Sequence, residues 1–136
     1  MYLLDTVVLS ETAKPRPSPR VVAWLARQDE ATTFLSVLTL GEVARGIAAI
    51  RDREPVFARR LTAWLASTLR HYDGRILAVD VASAVRWGEL AAALGHSGVD
   101  LLVAATALEH DLTVVTRNTR HFAGTGVRIL NPFEAG

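Results

Sequence analysis

The sequence has no cysteine in its 136 residues. That absence excludes a disulfide scaffold, a thiolate zinc site, an iron–sulfur cluster and a cysteine nucleophile. Long apolar runs are also missing, because stretches such as Val21–Ala26 are far shorter than the ~18 residues that a membrane-spanning helix requires. No basic leader precedes the apolar residues that follow Met1, so we expect no signal peptide. These absences predict a soluble, cytoplasmic protein that does not enter a membrane.

A strong excess of charge of one sign is likewise absent, since the formal net charge is +1. Composition therefore gives no indication of nucleic-acid binding. The basic residues are nevertheless almost all arginine, with Lys14 as the one lysine. Arginine is the better bidentate ligand for phosphate, but coding bias explains the excess more simply. The chain is 50% hydrophobic and 21% charged, which predicts one globular domain over residues 1–136.

Strand-like and helix-like segments alternate along the chain. Apolar or β-branched runs predict strands at Tyr2–Leu4, Thr32–Val37, Arg75–Val79, Leu112–Thr116 and Val127–Leu130. Helical spacing and end signals predict helices that open at Ser18-Pro19, span Thr39–Ile50, restart at Pro55, and cover Val81–Leu94 and Leu101–His110. This order predicts an α/β fold with a central parallel sheet and helices on both faces. Ligands bind such sheets at the carboxyl ends of the strands.

Acidic and amide side chains fall near those strand ends. Asp5 closes the first strand, Glu42 lies one turn into the helix after the second, and Asp80 ends the third. Asp100 opens the helix that leads to the fourth strand, and Asn118 follows that strand. Crowded carboxylates repel one another unless a cation neutralises them. A hard divalent ion, Mg²⁺ or Mn²⁺, suits oxygen ligands and lowers the pKa of bound water.

Several of these residues also have a purely structural interpretation. Asp100 fits a capping box with Ser97, since Ser-x-x-Asp precedes an apolar run. Asp80 before Val-Ala-Ser is a plausible helix N-cap. Glu42 could pair with Arg45 on its own helix face. Asp5, at the end of the first strand, has no comparable structural interpretation.

Four segments, in the same order along the chain, resemble the PIN-domain family. They are Leu3–Glu11 (LLDTVVLSE), Ser36-x-x-Thr39-x-x-Glu42, Asp100–Ala107 (DLLVAATA) and Val115–Phe122 (VTRNTRHF). Within that family the chain looks most like the VapC and FitB toxins of type II toxin–antitoxin pairs. The resemblance implies a PIN-like fold and a Mg²⁺-dependent endoribonuclease in which Mn²⁺ can substitute. It also implies an RNA substrate and a small, DNA-binding antitoxin similar to VapB or FitA.

The resemblance carries over residue by residue onto the acidic positions. Asp5, Glu42 and Asp100 match the three core acids of the family, and Asn118 matches a fourth position that is Asp in some members and Asn in others. Thr116 matches a hydroxyl that lines the same site. We expect Asp5 and Asp100 to hold Mg²⁺ directly, and Glu42 to ligate the ion or orient its water.

Other positions near the acids carry weaker expectations. Arg117 is a candidate for positioning the phosphate of the substrate, with a solvated loop residue as the alternative, and Thr6 is a further candidate for a supporting role. Val7 stands where the family commonly has Asn. His121 stands where many relatives have another Asp, so the fourth acidic corner is expected to lack a negative charge.

Other classes of protein fit the sequence less well. A phosphoacceptor receiver domain could use Asp80, but it needs an acidic pair on the first strand and a lysine near the last strand. A haloacid-dehalogenase-like phosphatase needs Asp where Val7 stands, and a dinucleotide site needs a glycine-rich turn that Thr6–Leu9 lacks. A PIN fold that acts only by binding RNA or its antitoxin stays open. Metal titration separates that possibility from a nuclease.

The remaining aromatic and histidine residues favour structural roles. The four histidines show no zinc-ligand spacing, and Trp24, Trp64 and Trp87 fall within helical patterns that favour packing over base stacking. The apolar stripe from Phe57 to Tyr72 has more large residues than one sheet face needs. It predicts a homodimer formed through this helix, and the resemblance implies a higher toxin–antitoxin assembly.

Overall fold

Five parallel strands form one central sheet in the order β3-β2-β1-β4-β5. The computed structural model describes residues 1–134. The strands are β1 (Tyr2–Leu4), β2 (Thr33–Ser36), β3 (Ile76–Leu77), β4 (Thr113–Val115) and β5 (Ile129–Leu130). Because β1 is the central strand, the residue that follows it lies in the middle of the sheet's carboxyl edge.

Helices connect the strands, as parallel pairing requires. They are α1 (Thr6–Leu9), α2 (Pro19–Ala26), α3 (Val37–Ile50), α4 (Pro55–His71), α5 (Val81–Leu94) and α6 (Val99–Glu109). Short 3₁₀ turns span Ser10–Ala13, Glu30–Thr32 and Thr119–Phe122. The predicted α/β class with a parallel sheet is confirmed. Within residues 1–134, no helix has the length and apolar character needed to cross a bilayer.

Helix ends follow the local signals in the sequence. The Ser18 side chain accepts a hydrogen bond from the Val21 amide, and Pro19 opens α2. Asp80 caps α5 by accepting from the Ser83 amide at 2.8 Å, and Gly95 ends that helix with a φ of 77°, which glycine adopts without strain. The end signals that the sequence predicts at Ser18-Pro19 and Asp80 are confirmed.

Two apolar clusters flank the sheet, because side chains alternate across the strands. Leu3 and Val114 pack on one face of the sheet with the buried side of α6. Leu4 and Val115 pack on the other face with α1 and α2, where Trp24 meets Tyr2 edge to face at a centroid distance of 4.9 Å. The packing role expected for Trp24 is confirmed.

The apolar stripe of α4 is only partly covered within the chain. Ala58 is buried against Val43 and Ile47 of α3, whereas Phe57 and Leu69 each remain 41% exposed. The helix therefore contributes to the core on one side and leaves large apolar groups on the surface.

The proline-rich connector between α1 and α2 is anchored by a buried carboxylate. Glu11 accepts a hydrogen bond of 2.8 Å from the Ser18 amide and forms an ion pair with Lys14. The Lys14 ammonium and the Ser18 amide hold the pKa of Glu11 below its ordinary value. The connector is thereby attached to the segment that directly follows Asp5.

Candidate active site

Asp5 lies at the carboxyl end of the central strand and is 5% exposed. Its amide donates to the Val115 carbonyl at 2.9 Å, and its own carbonyl accepts from the amides of Val8 and Leu9 at 3.0 Å. The backbone is therefore fixed by both β4 and α1. Although Asp5 occupies the N-cap position of α1, its carboxylate makes no capping hydrogen bond. The side chain is left available for another role.

A buried hydroxyl connects Asp5 to the loop after β4. The Thr116 hydroxyl donates to Oδ2 of Asp5 at 2.7 Å and accepts from the amide of Asn118 at 2.9 Å. The Asn118 carbonyl in turn accepts from the amide of His121 at 3.0 Å. One hydroxyl thus orients the central carboxylate and fixes the loop that carries Asn118, with Asn118 itself half-buried at the start of the Thr119–Phe122 turn.

Glu42 is held near Asp5 by Thr6, the residue that follows Asp5 in the sequence. Oε1 of Glu42 accepts a hydrogen bond of 2.9 Å from the Thr6 hydroxyl. Among the described residues no ion pair joins Glu42 to Arg45, so the structural interpretation of Glu42 on its own helix face is wrong. The reason is that Thr6 at the start of α1 already engages the carboxylate.

Asp100 is the second residue of α6 and does not belong to a capping box. Gly98 in extended conformation is the N-cap, and no side chain caps this helix end. The capping box of Asp100 with Ser97 is therefore wrong, because the helix begins one residue later than that interpretation requires. The Asp100 side chain is 38% exposed and lies in the first turn of α6.

The charges of these three acids act on one another. Burial raises the pKa of Asp5 above its ordinary value, and the neighbouring carboxylates of Asp100 and Glu42 raise it further, while the hydrogen bond from Thr116 and the nearby Thr6 amide act in the opposite direction. Binding of a cation is favourable beside a carboxyl group that has two other carboxylates near it. The raised pKa of Asp5 therefore reflects the proximity of Asp100 and Glu42 as well as burial.

The arrangement has the oxygen donors that Mg²⁺ prefers, but they are not closed into a cage. Within the part of the chain that the structure describes, no three Asp, Glu or His side chains approach closely enough to hold one ion together. Mg²⁺ keeps several of its waters and binds proteins through one or two carboxylates. The donor chemistry and charge therefore fit a hydrated Mg²⁺ ion, for which Asp5 and Asp100 would supply oxygens and Glu42 would face bound water.

His121 contacts one of these acids, which the sequence did not indicate. Its Nδ1 lies 3.0 Å from Oδ2 of Asp100, with the imidazole 56% exposed. The two residues are on different elements, and no spacing rule relates them. Only the position of His121 in the resemblance, where relatives have Asp, marked it before the structure.

Arg117 has contacts on another side of the loop. Its guanidinium carbon lies 3.8 Å from the ring centroid of Phe133, and its charge contributes to the lowered pKa of Glu11. Stacking on an aromatic face is a common arrangement for arginine. A role in positioning phosphate stays a prediction for Arg117, and so does a supporting role for Thr6.

Asp80 lies outside this group of acids. It is exposed, caps α5 and has His110 Nε2 at 3.7 Å from its Oδ2. The capping amide of Ser83 holds its pKa below the ordinary value. The structure thus gives Asp80 the N-cap role that the sequence predicted.

Comparisons with known proteins agree over the whole chain. The family model described as PIN domain matches residues 2–127. The VapC ribonuclease Y4jK of Sinorhizobium fredii is 36% identical over 98% of this chain and 99% of its own length, and toxin FitB of Neisseria gonorrhoeae is 35% identical over the same shares. The solved structure of FitAB bound to IR36 DNA has a TM-score of 0.83 at 34% identity, covering 100% of this chain and 98% of that one. The chain therefore belongs to the PIN-domain family, among the relatives of the VapC and FitB toxins.

Proposed function

We propose that this protein is a Mg²⁺-dependent endoribonuclease and the toxin of a type II toxin–antitoxin pair. The observation that carries the proposal is the buried Asp5 carboxylate, which faces Asp100 and Glu42 at the carboxyl edge of the sheet. A fold does not by itself establish an activity. The charge convergence at this site, together with relatives named VapC ribonuclease and toxin FitB, supports it.

Each residue of the site has a separate role in the proposed reaction. When bound, Mg²⁺ supplies a water of lowered pKa and shields the negative charge that develops on the phosphate. Asp5 and Asp100 would hold it, and Thr116 keeps the Asp5 carboxylate oriented through its 2.7 Å hydrogen bond. Glu42, fixed by Thr6 at 2.9 Å, would accept a hydrogen bond from the attacking water and orient it. Asn118 contributes an amide oxygen without adding negative charge.

RNA cleavage by the purified protein tests the chemistry. We expect cleavage with Mg²⁺ or Mn²⁺, loss of cleavage in EDTA, and a loss of about 100-fold or more in Asp100→Asn, since removing even a supporting group at a metal site costs 10–100-fold. Asp52→Asn, on the exposed turn between α3 and α4, is the matched control and should cleave normally. Cleavage that persists in EDTA would contradict the metal mechanism. RNA binding without cleavage at any metal concentration would instead favour the binding-only interpretation.

The antitoxin is proposed to cover an apolar groove that begins at the acidic site. A groove of about 360 Å³ opens at Thr6 and Glu42 and continues between α3 and α4. Its apolar wall includes Ile47, Phe57 and Leu61. A partner segment with an apolar side along this wall and an arginine at its end would neutralise Glu42 and compete with the metal. The likeness to the solved structure of FitAB bound to IR36 DNA supports a DNA-binding partner, which we propose to be small, and we propose a homodimer of this chain as the assembled toxin unit.

Growth in cells tests the toxin and partner proposals separately. Expression of the chain alone should slow growth, and co-expression of the partner should restore it. Phe57→Asp should remain toxic but escape restoration, because an aspartate in the groove weakens binding by about 2 kcal/mol or more. Val22→Asp, at an exposed apolar position of α2 outside the groove, should still be neutralised. A wild-type chain that does not affect growth would contradict the toxin proposal.

A further inference from the structure

The contact between His121 and Asp100 changes the kind of ion that suits this site. We infer that His121 joins Asp100 as a metal ligand, and that its imidazole nitrogen shifts the preference of this site from Mg²⁺ towards later first-row divalent ions such as Co²⁺, Ni²⁺ or Fe²⁺. The inference rests on the proposed function, because it concerns the same metal site. It concerns the identity of the ion, which the acidic residues alone do not specify.

The separation of the two side chains matches a pair of ligands on one ion. Nδ1 of His121 lies 3.0 Å from Oδ2 of Asp100. Two ligands at about 2.1 Å from an octahedral ion, at right angles to each other, are separated by about 3.0 Å. An ion could therefore bind both atoms with little movement of either side chain.

Access to the site also favours ligation. The imidazole is 56% exposed and the Asp100 carboxylate is 38% exposed, so an ion can reach both from solvent and retain waters for its remaining positions. The His121 amide donates to the Asn118 carbonyl at 3.0 Å. The backbone at the ligand is thus held by the same loop that Thr116 connects to Asp5.

The chemistry of the nitrogen predicts the direction of selectivity. Carboxylate and water ligands suit Mg²⁺, whereas imidazole suits later first-row ions, whose affinity for nitrogen ligands rises across the series. A neutral imidazole also adds no negative charge, so it gives little to Mg²⁺ binding, which depends mainly on charge. Replacing an acidic corner by His121 therefore weakens the hold on Mg²⁺ relative to Co²⁺.

Calorimetric titration with Co²⁺ and with Mg²⁺ tests the inference on the purified full chain. His121→Asn should lower the affinity for Co²⁺ about tenfold or more while changing the affinity for Mg²⁺ by less than about threefold. The visible absorption of bound Co²⁺, which responds to nitrogen ligation, should shift in the same variant. His121→Asp should tighten Mg²⁺ binding and bring the two affinities closer together.

His110→Asn is the matched control, since His110 also lies near an aspartate, Asp80, at 3.7 Å but outside the acidic group. It should leave both affinities and the Co²⁺ spectrum unchanged. If His121→Asn leaves the Co²⁺ to Mg²⁺ affinity ratio and the spectrum unchanged while wild-type protein cleaves RNA with Mg²⁺, the inference is overturned and the proposed function stands. If wild-type protein binds neither ion and cleaves no RNA, both are overturned together.

Discussion

Asp5→Asn is expected to abolish RNA cleavage and, at the same time, to make the metal-free fold more stable. The carboxylate is 5% exposed and faces the carboxylates of Asp100 and Glu42, so its charge opposes folding until a cation is bound. Asparagine has the same shape and can still accept the hydrogen bond from Thr116. We expect a loss in activity of about 100-fold or more and a higher free energy of unfolding without metal, because the charged carboxylate is disfavoured in the folded state.

The pH dependence of stability gives an independent check on this change. Because the pKa of Asp5 is raised in the folded state, folding binds a proton there. The contribution of Asp5 to stability is therefore most favourable below about pH 4, which is its pKa in the unfolded chain. It is lost as the pH rises through its pKa in the folded protein. Asp5→Asn should remove this loss of stability, so that the difference in free energy of unfolding between the variant and the wild type grows as the pH rises from 4. Thermal melts in EDTA at several pH values measure it.

Two comparisons make the result decisive. Asp52→Asn, which is exposed, should change neither stability nor cleavage by a measurable amount. Added Mg²⁺ should stabilise the wild type, by about 2.7 kcal/mol at 100 times its dissociation constant, and should stabilise Asp5→Asn far less. An Asp5→Asn protein that is less stable than wild type at neutral pH would show that the carboxylate supports the fold and is not held there for function.

Elements with strong local signals could be predicted from the sequence, and short elements could not. α5 was predicted with its observed bounds because Asp80 and Gly95 mark its two ends. α1 and the Ser10–Ala13 turn were not predicted, since four residues carry no period and the helix depends on the Asp5 carbonyl, which is placed by pairing with β4. Strand bounds were predicted too long at Arg75–Val79, because pairing with β2 and not β propensity determines where β3 ends.

The residues of the candidate site also fall into those that could be predicted from the sequence and those that could not. The acids follow from strand order, because parallel strands bring Asp5 and the loop after β4 to one edge. The capping-box interpretation of Asp100 is wrong by one residue, because Gly98 and not Ser97 is the N-cap. Helix boundaries predicted from sequence are uncertain by that amount. The His121 contact with Asp100 depends on how the loop after β4 folds over the start of α6. Such a contact between distant segments has no local signal.

Thr116→Val is the second substitution from which we expect a large effect. The hydroxyl is fully buried and makes two hydrogen bonds, to Oδ2 of Asp5 and from the amide of Asn118. Valine keeps the shape but leaves the Asn118 amide without its acceptor, which costs about 1–3 kcal/mol of stability. The pKa of Asp5 should rise further, because the bond that favours its charged form is lost. Thr116→Ser, which keeps the hydroxyl, should retain most of both properties.

Metal affinity distinguishes orientation of Asp5 from simple support of the fold. If the hydroxyl orients the carboxylate, Thr116→Val should weaken Mg²⁺ binding about 10–100-fold, as expected when a group that positions a ligand is removed. In the Asp5→Asn background the same substitution should cost less stability, by about 1 kcal/mol, because hydrogen bonds to a charged acceptor are stronger than those to an amide. Calorimetry and urea unfolding of the four proteins in this cycle measure both quantities. A loss of stability that is equal in the two backgrounds, with Mg²⁺ affinity unchanged, would mean that Thr116 only anchors the loop through Asn118 and does not act on the metal through Asp5.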